Sequence, residues 1–196
     1  MEDFIRVWPN FVSREICGET IDAFEYVVSN PDFKNDIMNS RSQFSNGNMS
    51  RDDLSIFLDN VKFGKAELAS KYLFILQHCI TEYLEDFSQL KSIALTNYKS
   101  LKIQRTMPMG GFHHWHYEQA ADVASYAREV TWMIYLNDMP PGEAETEFLF
   151  QHKKLQPTCG TVVMWPAGMT HVHRGLTVYT HPKYIATGWY SKDPPK

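Results

Sequence analysis

Glu129-Val130-Thr131-Trp132-Met133-Ile134-Tyr135-Leu136, Thr161-Val162-Val163-Met164-Trp165 and Tyr184-Ile185-Ala186-Thr187-Gly188-Trp189-Tyr190 are short runs rich in β-branched and aromatic residues. Gly, Pro and Asn turns separate them, so each reads as a strand. Ser100 to Met107, Phe148 to Phe150 and Thr170 to His173 have the same character. A series of short strands in the second half of a chain predicts a sandwich or barrel of antiparallel strands.

The first half reads differently. Phe4 to Trp8 alternates and stops at Pro9, a first strand. Ser13 is an N-cap with Glu15 in the first turn, opening a helix over about 14–28 that Pro31 ends. Lys65 to Phe87 is a second helix. Leu68, Tyr72, Ile75, Cys79, Tyr83 and Phe87 recur at three- and four-residue steps, a stripe that should back a sheet. Between the helices, 32–60 is polar and reads as a long loop with a short helix near 52–58, decoration or a lid. Helices first and strands afterwards give the α+β class. No repeat, low-complexity tract or domain boundary interrupts the 196 residues, so one domain is expected, with helical support over 1–90 and a strand core over 91–190.

Hydrophobic residues make up 43% of the chain and charged ones 21%, an ordinary globular balance. The net charge of −4 lacks the basic excess that neutralises phosphates, so no nucleic-acid partner is expected. No apolar run is long enough to span a membrane, and the start, Met1-Glu2-Asp3-Phe4, has neither the basic nor the apolar segment of a signal peptide. Cys17, Cys79 and Cys159 are odd in number and widely spaced, which fits a reduced, cytoplasmic compartment.

The chemistry gathers in the strand half. His116 and Glu118 are two apart, and on an extended segment they share a face. A third ligand can come from His171 or His173. Two histidines and a carboxylate form the facial set of a non-haem ferrous site with open positions. A closed structural zinc site would normally use paired cysteines, which this chain lacks. His-x-Glu alone is a weak signal, and His113 and His114 lie beside it. His171 and His173 share strand parity, so parity does not separate them. On the residues alone both stay open.

Taken together, His116-Tyr117-Glu118, Tyr135-Leu136-Asn137, Glu143-Ala144-Glu145-Thr146-Glu147-Phe148, His173, Lys183, Thr187 and Trp189 resemble the iron(II)- and 2-oxoglutarate-dependent dioxygenases, in their prolyl 4-hydroxylase-like branch. The likeness covers Leu101 to Tyr190, and Phe11 to Cys17 resembles the opening of these enzymes. It implies a double-stranded β-helix (jelly-roll, cupin-like) core, Fe(II) held by His116, Glu118 and His173, and dioxygen and 2-oxoglutarate as cosubstrates. Lys183 would pair with the distal carboxylate of 2-oxoglutarate, and Tyr135 and Thr187 would donate to it. Arg128 and Trp189 are substrate-side candidates. The chain departs from the family in using Glu118 where aspartate is usual, and Glu143-Ala144 where a glycine pair is usual. The implied activity is hydroxylation of an unactivated C–H bond, with a prolyl residue in a peptide or protein, or a free amino acid, as substrate. A cupin-like binding protein without turnover is the alternative, and a β-sandwich with incidental histidines a third reading.

Overall fold

The structure is a computed structural model and describes residues 3–92, 95–96, 100–120 and 122–192. Met1 and Glu2 of the acidic start lie outside the described residues, as do 93–94 and 97–99 at the head of the expected strand core.

The strands are β1 (Arg6–Trp8), β2 (Met38–Gln43), β3 (Met49–Phe57), β4 (Leu95–Thr96), β5 (Lys102–Thr106), β6 (Phe112–His116), β7 (Arg128–Tyr135), β8 (Thr146–Phe148), β9 (Lys153–Leu155), β10 (Val162–Pro166), β11 (His173–Gly175) and β12 (Lys183–Lys192). They form one antiparallel sheet in the order β1-β10-β7-β12-β5-β3-β6-β11-β8-β9, with β2 beside β3 and β4 beside β12. The sheet curls until its halves face each other. Tyr135 on β7 donates its hydroxyl to Thr146 on β8 at 2.8 Å, although five strands lie between them in the order. Inside the curl, Trp165 packs edge-on against both Phe148 and His173.

Helix α1 (Arg14–Ser29) starts where Ser13 accepts the amide N–H of Ile16, and Pro31 follows its end. Helix α2 (Ala66–Asp86) buries Leu68, Tyr72, Cys79 and Tyr83 of the predicted stripe, together with Leu76 and Ile80 beside it, while Ile75 and Phe87 are partly buried. Both helices cover the convex face. There Phe24 and Val27 of α1 and Tyr72 and Leu76 of α2 share a core with Trp132 and Ile134 of β7. Strand β7 is buried on both faces, which explains its unbroken apolar run. Met133 and Tyr135 turn the other way and join Val163, Trp165 and Phe148 in a second cluster inside the curl. A short third helix, α3 (Val123–Tyr126), begins at Asp122, whose carboxylate accepts the Ser125 amide.

Two expectations are corrected. The segment 32–60 is not a loop with a short helix over 52–58. Its centre is the hairpin β2–β3, turned at Gly47 with φ 83°, and β3 pairs with β5 and β6 inside the sheet. Strand β3 is polar on the concave side, with Arg51, Asp53 and Ser55, and that polarity hides the period-two pattern of a half-buried strand. Thr170 to His173 is not a strand either: Met169–His171 is a 3-10 turn, and β11 starts at His173. The helical support over 1–90 therefore also carries β1, β2 and β3.

Candidate metal centre

His116 ends β6 and pairs with His173 at the head of β11. Glu118 lies two residues past β6, where its amide N–H bonds to the Ala167 carbonyl at 3.0 Å and fixes the turn of the chain. The three side chains meet inside the curl, with ligand atoms all within 4.8 Å of one another. Glu118 Oε1 is 3.7 Å from His116 Nε2 and 3.5 Å from His173 Nε2.

Both imidazoles are oriented by the same device. His116 Nδ1 lies 2.9 Å from the His114 carbonyl, and His173 Nδ1 lies 2.9 Å from the His171 carbonyl. A carbonyl accepts only, so each Nδ1 carries the proton and each Nε2 presents a lone pair to the centre. Ligating histidines typically have this arrangement. Burial, then the neighbouring His173, pushes the His116 pKa down to about 4. Burial alone would raise the Glu118 carboxyl. The contact with His173, with His116 and Arg128 adding to it, outweighs it and holds the group at about 2. Near neutral pH the donors are thus a neutral imidazole and a carboxylate, the forms a cation requires. Two nitrogens and one oxygen, clustered with no cysteine, fit a ferrous ion with open positions.

His171 is placed apart from this cluster. Its Nε2 bonds the Asp3 carbonyl at 2.8 Å and its Nδ1 the Thr170 hydroxyl at 3.0 Å, so both ring nitrogens are engaged. The 3-10 turn breaks the parity that made it look equivalent to His173. His113 and His114 also stay outside the cluster.

The cluster opens on a cavity of about 400 Å³. Lys183 lies in its wall, buried, with its ammonium donating to the Ala144 carbonyl at 2.7 Å. It has no carboxylate partner among the described residues, and burial pulls its pKa down to about 8. The acceptor carbonyl belongs to the loop where the glycine pair is replaced. Ala144 there has φ 56°, a left-handed conformation that favours glycine, and the Glu143 carboxylate accepts the Tyr179 and Thr180 amides at 2.5 and 2.7 Å. The hydroxyls expected beside Lys183 are engaged elsewhere. Tyr135 donates to Thr146, and Thr187 donates to the Trp132 carbonyl at 2.9 Å.

The two substrate-side candidates have a further connection. Trp189 donates its indole N–H to Glu118 Oε2 at 3.0 Å. Arg128 donates to the Glu118 backbone carbonyl at 2.9 Å, approaches Oε2 at 3.6 Å, and stacks over the Trp189 ring at 3.6 Å. Sequence reasoning missed Arg51, which the polarity of β3 concealed. Its guanidinium holds the buried Asp53 at 2.6 Å and covers the Phe112 ring, which stacks on His116 at 3.8 Å. It also missed Lys102 and Gln104, whose alternation on β5 points them into the cavity.

Residues 101–191 match the model of the 2OG-Fe(II) oxygenase superfamily. No curated protein matches the chain by sequence. Among solved structures, the chain is similar to a Pseudomonas putida prolyl-4-hydroxylase, with TM-score 0.71 and 15% identity over 98% of this chain and 94% of that one. It is similar to the viral collagen prolyl hydroxylase of Paramecium Bursaria Chlorella virus-1, with TM-score 0.68 and 20% identity over 97% of each chain. It is also similar to a Trichoplax adhaerens prolyl hydroxylase in complex with a hypoxia inducible factor oxygen degradation domain peptide fragment, with TM-score 0.69 and 14% identity over 97% of this chain and 84% of that one. At these identities the likeness is one of fold.

Proposed function

We propose, from the match of residues 101–191 to the 2OG-Fe(II) oxygenase superfamily model, that this protein is an oxidoreductase that hydroxylates an unactivated C–H bond, with His116, Glu118 and His173 as its metal ligands. The family implies Fe(II), 2-oxoglutarate and dioxygen. The observation that carries the residue assignment is the convergence of the three donors at one side of a cavity whose wall also holds an unneutralised, buried lysine. We read the curled sheet as a double-stranded β-helix and the chain as one domain of cytoplasmic type.

With iron and 2-oxoglutarate bound, the site supplies oxidation by dioxygen, with succinate and carbon dioxide as co-products. The chain's part is to bind, orient and exclude water. Lys183 takes the distal carboxylate of the cosubstrate in a charge-assisted bond, strong because little water competes. Thr187 lines the same cavity and the Tyr135 ring packs against the Lys183 ammonium, and their hydroxyls would reach the cosubstrate by turning from their present acceptors. Met133, Trp165 and Ile185 give the cavity apolar walls. Arg128 and Trp189 hold the Glu118 carboxylate from behind and face the substrate side. Prolyl hydroxylases among the structural relatives support a prolyl or amino-acid-like substrate, in a peptide or free.

The test is succinate release by iron-loaded protein with 2-oxoglutarate and a panel of prolyl peptides and amino acids. Protein that binds iron yet never turns over 2-oxoglutarate, with or without a panel member, would instead be the cupin-like binding protein.

A further inference from the structure

Five cationic side chains line the cavity: Arg51, Lys102, Arg128, Arg174 and Lys183. Four have partners. Arg51 holds Asp53, Arg128 holds Glu118, Arg174 holds Glu147 at 2.7 Å, and Lys183 donates to Ala144. The Lys102 ammonium makes no hydrogen bond or ion pair with any described residue. The nearby carboxylates of Asp53 and Glu118 act on it through space, but Arg51 occupies the first, and Trp189 and Arg128 the second. Burial, with Arg51 adding to it, disfavours the charge of Lys102, so holding a cation there costs free energy unless an anion joins it.

Register fixes where that anion would sit. Lys102 is opposite Thr187 on β12, and Lys183 is opposite Thr106. Four residues along a strand separate the two lysine positions, a Cα distance of about 13 Å. Lys183 thus marks one end of the cavity wall. Lys102 lies further along that wall, beside Thr187 and on the side of Glu118 and Trp189.

We propose that Lys102 anchors a carboxylate of the prime substrate, which is therefore a small carboxylic acid of the amino-acid class and not an internal residue of a long chain. The proposal rests on the oxygenase reading above and narrows its substrate. A cavity of about 400 Å³ suits such a molecule beside the cosubstrate. An internal peptide residue brings an uncharged amide to this place and leaves the partly buried ammonium unpaired.

Matched acids and amides test it: L-proline against L-prolinamide, and N-acetyl-L-proline against its amide. Binding is followed by tryptophan fluorescence, because Trp189 borders the proposed subsite, and turnover by succinate release. Each acid should bind about tenfold or more tightly than its amide. Lys102→Met should erase that ratio and raise the KM for the acid, while Lys102→Arg restores most of it. Equal binding of acid and amide, a ratio that survives Lys102→Met, or no acid binding at millimolar concentration overturns the proposal. So does Lys102→Met raising the KM for 2-oxoglutarate by the same factor as that for the acid, which would place Lys102 on the cosubstrate. Failure of the oxygenase reading looks different: no 2-oxoglutarate turnover under any condition, including without prime substrate.

Discussion

The indole N–H of Trp189 points at Glu118 Oε2 across 3.0 Å, and the ring that carries it lies beneath the Arg128 guanidinium. The carboxylate is thus held from behind by two residues of different strands. Trp189→Phe keeps the ring under Arg128 and deletes the donor. Metal affinity is expected to fall about ten- to a hundredfold, the usual effect of losing a partner of a ligating group. Titration with ferrous or manganous ion, with circular dichroism as a folding control, reads this out. An unchanged affinity would remove Trp189 from the support of the site.

The proposed ligand set predicts a sharp division among the histidines. His116→Ala and His173→Ala each leave two donors, and iron content after anaerobic loading should drop to background. His171→Ala should keep its iron. It removes the ring nitrogen bonded to the Asp3 carbonyl and should cost about 1–3 kcal/mol in urea melts. Iron retained in both His116→Ala and His173→Ala would refute the assignment.

Lys183 gives a pH dependence of defined sign. Its pKa of about 8 lies below the usual lysine value because burial disfavours the ammonium, and in the proposed site that ammonium pairs with the cosubstrate carboxylate. Affinity for 2-oxoglutarate should be flat below that value. It should then weaken as pH rises through it, approaching about tenfold per unit where binding must recruit a proton. Calorimetric titration of the metal-loaded protein from about pH 6.5 to about pH 9.5, which brackets that lowered value rather than the ordinary lysine one, follows it. Lys183→Ala should abolish the dependence along with most of the affinity.

Stability should depend on the seam between β7 and β12. Trp132 is fully buried, and its ring lies across Gly188, where an added Cβ would come 2.5 Å from the indole and 2.6 Å from the Ser100 carbonyl. Gly188→Ala should destabilise by about 1–3 kcal/mol through overpacking. Trp132→Ala should cost about 3–5 kcal/mol through the cavity it leaves. Denaturant melts compare the two, and a neutral Gly188→Ala would mean the seam can open without cost.

Residues whose signal was local were legible in the sequence. The stripe of α2, the Ser13 cap and the apolar run of β7 each follow from neighbours in the chain. The clustering of His116, Glu118 and His173, with Lys183 in the cavity wall, was legible because their spacing survives in one dimension. What stayed hidden depends on which side a strand faces. Arg51 and Asp53 make β3 look like a polar loop, since their inward direction is set by pairing with β5 and β6. His171 looked equivalent to His173 until a 3-10 turn broke the parity between them. Arg128 and Trp189 read as substrate residues by position, while their grip on Glu118 is a contact between strands.

The two oxygens of Glu118 have separate duties. Oε2 is committed to Trp189 and Arg128, and only Oε1 faces the histidines. In the proposed ligand set the carboxylate would offer a single oxygen, which would leave positions open for incoming molecules. The longer glutamate arm, which on its own could swing round and close one of those positions, is tethered so that it does not.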